Sequence, residues 1–105
     1  MPADKLTTAE RVTAKAIYDI LVLQAGAPDN ESRRGQFEYF YAERLNLEEF
    51  HCQGLLGFGG KVWYTPYQGW YVSSNRIDAE ATAIIERTNA ALEQFNTERQ
   101  QSRKS

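Results

Sequence analysis

Residues 61–74 (KVWYTPYQGWYVSS) hold two runs of β-branched and aromatic residues split by Pro66-Tyr67-Gln68-Gly69. Valine, tyrosine and tryptophan favour extended backbone, and a link built on proline and glycine is a turn. So short a link cannot carry the crossover that a parallel pair requires, so the two runs must pair antiparallel. The sequence therefore predicts a hairpin of strands over 61–65 and 70–74. A third antiparallel strand is expected over 49–55, joined through a turn at 54–60 (GLLGFGG), where glycine tolerates positive φ.

With a four-residue loop at 66–69, Thr65 faces Trp70, Tyr64 faces Tyr71 and Trp63 faces Val72. Trp63, Trp70 and Val72 then contact the helices, joined by Phe50 and Cys52. His51, Gln53, Tyr64, Tyr71 and Ser73 form the other, wetter face. A loop one residue shorter or longer shifts this pairing.

Helices are expected on either side of the sheet in sequence. Thr7 and Glu10 form a capping-box pattern ahead of a helix from Thr8 to Ala25, with Gly26 as its stop and Pro28 beyond. This helix has two apolar sides: Ala9, Val12, Ala16, Ile20 and Leu23 fall on one stripe, and Ala14, Tyr18, Leu21, Val22 and Ala25 fall roughly opposite. Either another element of the chain covers the second side, or a partner does. A second helix, capped by Asn30 or Ser32, is expected to run to about Leu45, with Phe37, Phe40, Tyr41 and Leu45 at helical spacing. Residues 36–42 also alternate as a strand would, so that assignment stays open. The last helix opens at Asn75 or Asp78 and carries Ile77, Ala81, Ile84, Ile85, Thr88, Leu92 and Phe95 on one face. The expected fold is α+β: two N-terminal helices, a three-stranded antiparallel sheet, and a C-terminal helix on one sheet face (ααβββα). Residues 1–6 are expected as a flexible leader, 7–96 as one domain and 97–105 as a disordered basic tail.

With 105 residues, 42% of them hydrophobic, the chain is long enough for one real core. Its formal net charge of −2 gives no overall field to draw in polyanions. One cysteine, Cys52, excludes an internal disulfide. The opening MPADKLTTAE is polar, unlike a signal-peptide core. The longest apolar run, 20–23, is too short to span a bilayer, which takes about 20 residues. A cytoplasmic location and no membrane partner are expected.

Catalytic and cofactor motifs fail on spacing. A phosphate loop needs glycine five positions before the Gly-Lys pair and Ser or Thr after it, whereas Gly60-Lys61 has Leu55 and Val62 there. His51 and Cys52 are the only residues of their kinds, and neighbours on a strand point to opposite faces, so they cannot activate one another. They are also too few for a structural zinc site. The adjacent carboxylates Glu48 and Glu49 aim at no common point. No catalytic residue, cofactor or metal is assigned.

Two surfaces can still bind. The second stripe of the first helix, with Tyr18 and Val22, together with Tyr64, Tyr67 and Tyr71, suits a protein partner or self-association. Alternatively His51, Lys61, Tyr64, Tyr71 and Arg76 suit single-stranded nucleic acid, bases stacking on the rings and cations holding the backbone. A double-stranded RNA-binding domain is disfavoured, because the last helix starts Asp78-Ala79-Glu80-Ala81, which repels phosphate.

The stretch from Phe50 to Trp63 (FHCQGLLGFGGKVW), with Gly69-Trp70-Tyr71-Val72 and Thr88-Asn89-Ala90-Ala91-Leu92, resembles a group of small phage and prophage proteins that combine an LGFGGK-aromatic turn, a WYV strand and a TNxxL helix. Where relatives carry a cysteine and an acidic pair after the WYV strand, this chain has Ser73-Ser74-Asn75-Arg76. The resemblance implies no activity. It implies a phage accessory context, and with it a non-enzymatic interaction protein in the host cytoplasm that binds and modulates a host protein, such as a defence factor. The alternative is the nucleic-acid module.

Overall fold

The computed structural model describes residues 6–43, 49–50, 56, 59–65 and 67–104, for 49–50 and 99–104 as backbone only. The class is α+β. Helix α1 spans Thr8–Ala25 and α2 Glu31–Ala42. Strands β1, β2 and β3 span Glu49–Phe50, Gly60–Thr65 and Gly69–Ser74, and α3 spans Ala79–Lys104. No helix among the described residues is long and apolar enough to cross a membrane.

Local chemistry accounts for the helix ends. The Thr7 hydroxyl accepts the Glu10 amide at 3.1 Å while the Glu10 carboxylate accepts the Thr7 amide at 2.9 Å, satisfying two donors that a helix start leaves bare. Gly26 closes α1 in the left-handed conformation, φ 72°. Asn30 caps α2 by accepting the Arg33 amide at 2.8 Å, so residues 36–42 are helix. Asp78 caps α3 through the Ala81 amide at 2.9 Å.

The first strand, expected over 49–55, is present at Glu49–Phe50, paired antiparallel with Trp63 and Val62; residues 51–55 lie outside the described residues, as do 57–58 of the glycine turn. Two expectations about the elements are corrected. Helix α3 continues to Lys104, past the Asn96 where a disordered tail was expected. Ile77, assigned to the apolar face of the last helix, instead precedes its cap and is 95% exposed.

The hairpin register differs from expectation by one residue. Thr65 pairs with Gly69, Tyr64 with Trp70, Trp63 with Tyr71 and Val62 with Val72. The loop is therefore three residues long, and Gly69 opens β3 at φ 78°, the position where such loops need a left-handed residue. A side chain there would be strained by the positive φ, and its Cβ would lie 2.7 Å from the Asn96 side chain, which would have to move. The shift moves two aromatic residues to opposite sides. Val62, Trp70 and Val72 are buried toward the helices, and Tyr64 packs against that core. Trp63 lies on the outer side, its ring stacked on Tyr71 (centroids 6.1 Å apart, 5° between planes) and its Nε1 donating to Ser73 Oγ at 2.7 Å.

Trp70 links four elements. Its ring packs on Phe37 of α2 (5.3 Å), stacks on Tyr41 of α2 (5.7 Å, 7°) and meets Tyr64 of β2 (5.1 Å). Phe37 in turn packs on Tyr18 of α1 at 5.6 Å. Tilted and offset contacts of this kind add to the burial of large apolar rings. The Tyr18 hydroxyl donates to Pro28 O at 2.6 Å, so its polar end is satisfied inside the core.

Helix α3 also bonds the open edge of the sheet. With strand order β1-β2-β3, β3 is an edge, and alternate residues of an antiparallel edge strand aim N–H and C=O outward. The Asn89 side chain accepts the Val72 amide at 2.7 Å and donates to Val72 O at 2.9 Å. One helical turn pair further on, Asn96 donates to Trp70 O at 3.1 Å and more weakly to Gln68 O. Two asparagine amides thus do for β3 what another strand would, and blunt an edge open to unwanted pairing. This connects the WYV segment to the TNxxL segment: Asn89 holds Val72, while Thr88 and Leu92 beside it are fully buried.

Replacing Asn89 by alanine should destabilise the fold by about 1–3 kcal/mol, since Val72 would lose both outward partners. Asn89→Asp should cost more than Asn89→Ala, because a carboxylate keeps the acceptor but repels Val72 O. Urea unfolding measures both. By the same assay Trp70→Ala should cost about 3–5 kcal/mol, and Trp63→Ala less than half as much.

Candidate interaction surface

Helix α1 lies between the other two helices, and its two apolar stripes have opposite fates. Thr13, Ala14, Ile17, Tyr18, Leu21 and Ala25 are buried. On the other side Val12 is 63% and Leu23 78% exposed. Ala9 is exposed too, and Ala16 and Ile20 are half-buried. The stripe with Tyr18 and Leu21 faces the core; on the other, Val12 and Leu23 face outward while Ile20 packs against the core from its edge.

Side-chain bonds to both neighbours fix how this stripe is presented. Toward α2, Arg11 pairs with Glu38, and Arg34 reaches Asp19 at 2.9 Å and Asp29 at 2.8 Å while its guanidinium lies over the Tyr18 ring at 5.2 Å. Such a contact adds a cation–π attraction to the ion pairs. Toward α3, Arg87 donates to the Gln24 carbonyl at 2.8 Å. A crevice of about 230 Å³ between α1 and α2 is lined by Arg11, Ala14, Lys15, Tyr18, Arg34, Phe37 and Glu38. Its cations are engaged in these struts, which makes it part of the helix–helix joint.

Asp19 takes charge from two sides. Burial pushes its carboxyl up, but hydrogen bonds from Lys15 and Arg34, with their charges, outweigh that and hold it below the usual aspartate value. The hydrogen bond that Arg34 donates to Asp29 raises the Arg34 value, against a smaller opposing effect of burial. At the start of α3, the Arg76 hydrogen bond and the Ala81 amide hold the Asp78 carboxyl down.

Of the residues expected at a protein interface, Tyr18 is core, at 1% exposure. Val22 is half-buried against the core. Both belong to the stripe that the fold covers, so the side of α1 available to a partner is the opposite one. Tyr67 stands 92% exposed in the hairpin turn. Tyr64 and Tyr71 lie on opposite sides of the sheet through the register shift, so they do not share a platform. Lys61 follows Trp63 and Tyr71 on the outer side. Arg76 is bound to Asp78 at 2.7 Å. His51 lies outside the described residues. The residues that sequence reasoning missed are Thr13 and Ile17, buried on the inner face beside Tyr18 and Leu21.

Among the described residues, no group of three or more His, Cys, Asp or Glu side chains is placed to hold a metal ion. Compared with family models, curated proteins and solved structures, the chain matches none.

The lowered Asp19 carboxyl has a consequence in acid. Its folded-state pKa lies below the unfolded value of about 3.9, so the stabilisation is fully present above that value and is lost as pH falls through the folded one. Thermal melts from pH 6 to pH 2 should show wild type losing stability in this window. Asp19→Asn, less stable at neutral pH, should lose less.

Proposed function

We propose that this chain is a non-enzymatic interaction protein and that its docking element is the outer stripe of α1. One observation carries the reading: Val12 and Leu23 stand exposed on an apolar stripe of a helix whose opposite side is fully buried. An amphipathic surface helix should be polar on its outer side. Contiguous apolar surface on such a helix is the feature that marks protein contacts. The struts to α2 and α3 support it further, since a surface held rigid loses little conformational entropy on binding. The phage accessory context implied by the LGFGGK, WYV and TNxxL resemblance is the setting in which we place it.

The nucleic-acid alternative is disfavoured. Its platform required Tyr64 and Tyr71 on one face, and the hairpin register separates them. Its cation Arg76 is occupied by Asp78.

A photo-crosslinking amino acid placed at position 23 and activated in cells should yield a discrete protein adduct. The same group at Glu86, on the exposed polar side of α3, should yield none. Absence of any adduct from position 23, with the variant folded and expressed, would count against the proposal.

A further inference from the structure

We infer that the cleft between the open edge of β3 and α3 is a binding site for a neutral saccharide. This goes beyond the α1 stripe and shares no residue with it.

The cleft encloses about 460 Å³, a volume typical of small-molecule sites. Asn89, Glu93, Asn96 and Thr97 line its helical wall, and their spacing sets them on one stripe of α3. Gln68 and Tyr71 line the strand wall. The fold leaves much of this polar chemistry unspent. The side chains of Gln68, Glu93 and Thr97 and the Tyr71 hydroxyl hydrogen-bond to no other described residue. Asn89 and Asn96 are held by the backbone of β3, yet a carboxamide has two N–H donors and two lone pairs, more than these bonds consume. Tyr71 adds aromatic surface, braced by the stack of its ring on Trp63.

A sugar ring carries hydroxyls that donate and accept at once, around a face of C–H bonds. Carboxamides answer both functions of a hydroxyl, and a carboxylate accepts from it strongly. The C–H face packs on the negative π face of an aromatic ring. Three amides, one carboxylate, one hydroxyl and one tyrosine supply that set. Other ligand classes meet an obstacle here. Among the described residues no Lys or Arg lines the cleft, so a phosphate would face Glu93 with no cation to hold it. A peptide strand would need the outward backbone groups of β3, and the two asparagines already engage those of Trp70 and Val72. An apolar ligand would strip water from the polar side chains without replacing its hydrogen bonds. Cutting a glycosidic bond ordinarily takes two carboxylates, whereas Glu93 is the one acidic residue in the lining. The site therefore holds a sugar without hydrolysing it.

Titration of the isotope-labelled chain with maltose, cellobiose and N,N′-diacetylchitobiose, followed by NMR, tests this. At least one sugar should move the side-chain amide resonances of Asn89 and Asn96 and the backbone amide of Tyr71, and the shifts should saturate. Glu93→Ala should weaken that binding by about ten-fold, the loss of a hydrogen bond to a charged group. Its thermal melt should match wild type, because Glu93 is exposed and braces no other described residue. Gln68→Ala should weaken binding less. Guanosine, tested at the same concentration, should move none of these resonances. No shift from any of the three sugars would overturn the inference, as would shifts that Glu93→Ala leaves unchanged. Shifts from guanosine alone would assign the cleft to a nucleobase and overturn it equally. None of these outcomes bears on the α1 stripe, which is tested by the adduct from position 23.

Discussion

Trp70 is the side chain on which the other elements assemble. It comes from the edge strand β3, stacks on Tyr41, packs on Phe37, and through Phe37 reaches Tyr18. Those contacts join β3, α2 and α1 in one aromatic series, and Tyr64 adds β2. Aromatic rings bury large areas with few rotatable bonds, so a small domain gains much core for little lost side-chain entropy. Once Trp70 is seated, the backbone on its strand is also placed: its carbonyl meets Asn96, and that of Val72 meets Asn89. The position of α3 along the sheet edge therefore depends on which way Trp70 points.

That dependence explains how much the hairpin loop matters. Gly69 at positive φ makes the loop three residues long, and only with that length do Trp70 and Val62 face the same side. A four-residue loop would have sent Trp63 inward and left the asparagines of α3 facing different backbone groups. The close approach of Asn96 to Gly69 ties the loop to the helix directly. Turn, register and helix docking are one constraint met at three places.

Much of the architecture was legible in the residues themselves. Thr7 with Glu10, Gly26, Asn30 and Asp78 are end signals whose chemistry is local, and they mark the helix ends that the structure has. The class α+β and the antiparallel hairpin were legible for the same reason, because link length and β propensity are short-range properties. The register was not, since it turned on one glycine adopting a left-handed conformation beside a helix some 27 residues later in the chain. The first helix shows the same limit. Periodicity revealed two apolar stripes but could not rank them, because ranking requires knowing that Tyr18 meets Phe37 and places its hydroxyl on Pro28. The surface assigned to Tyr18 and Val22 was therefore the inner one. The bond between Asn89 and Val72, which joins two segments recognisable in sequence, needs the fold to bring them together.

The fold thus leaves one helix with a covered face and an uncovered apolar one, pinned between two neighbours. Methyl NMR of the labelled chain, in buffer and then in cell lysate, reads that uncovered face residue by residue. The methyl resonances of Val12 and Leu23, exposed on the stripe, should shift or broaden in lysate, while those of Val62 and Val72, deep in the core, stay still. Resonances of Val12 and Leu23 that do not change, or changes confined to the sheet, would contradict the claim that this stripe is where the molecule meets a partner.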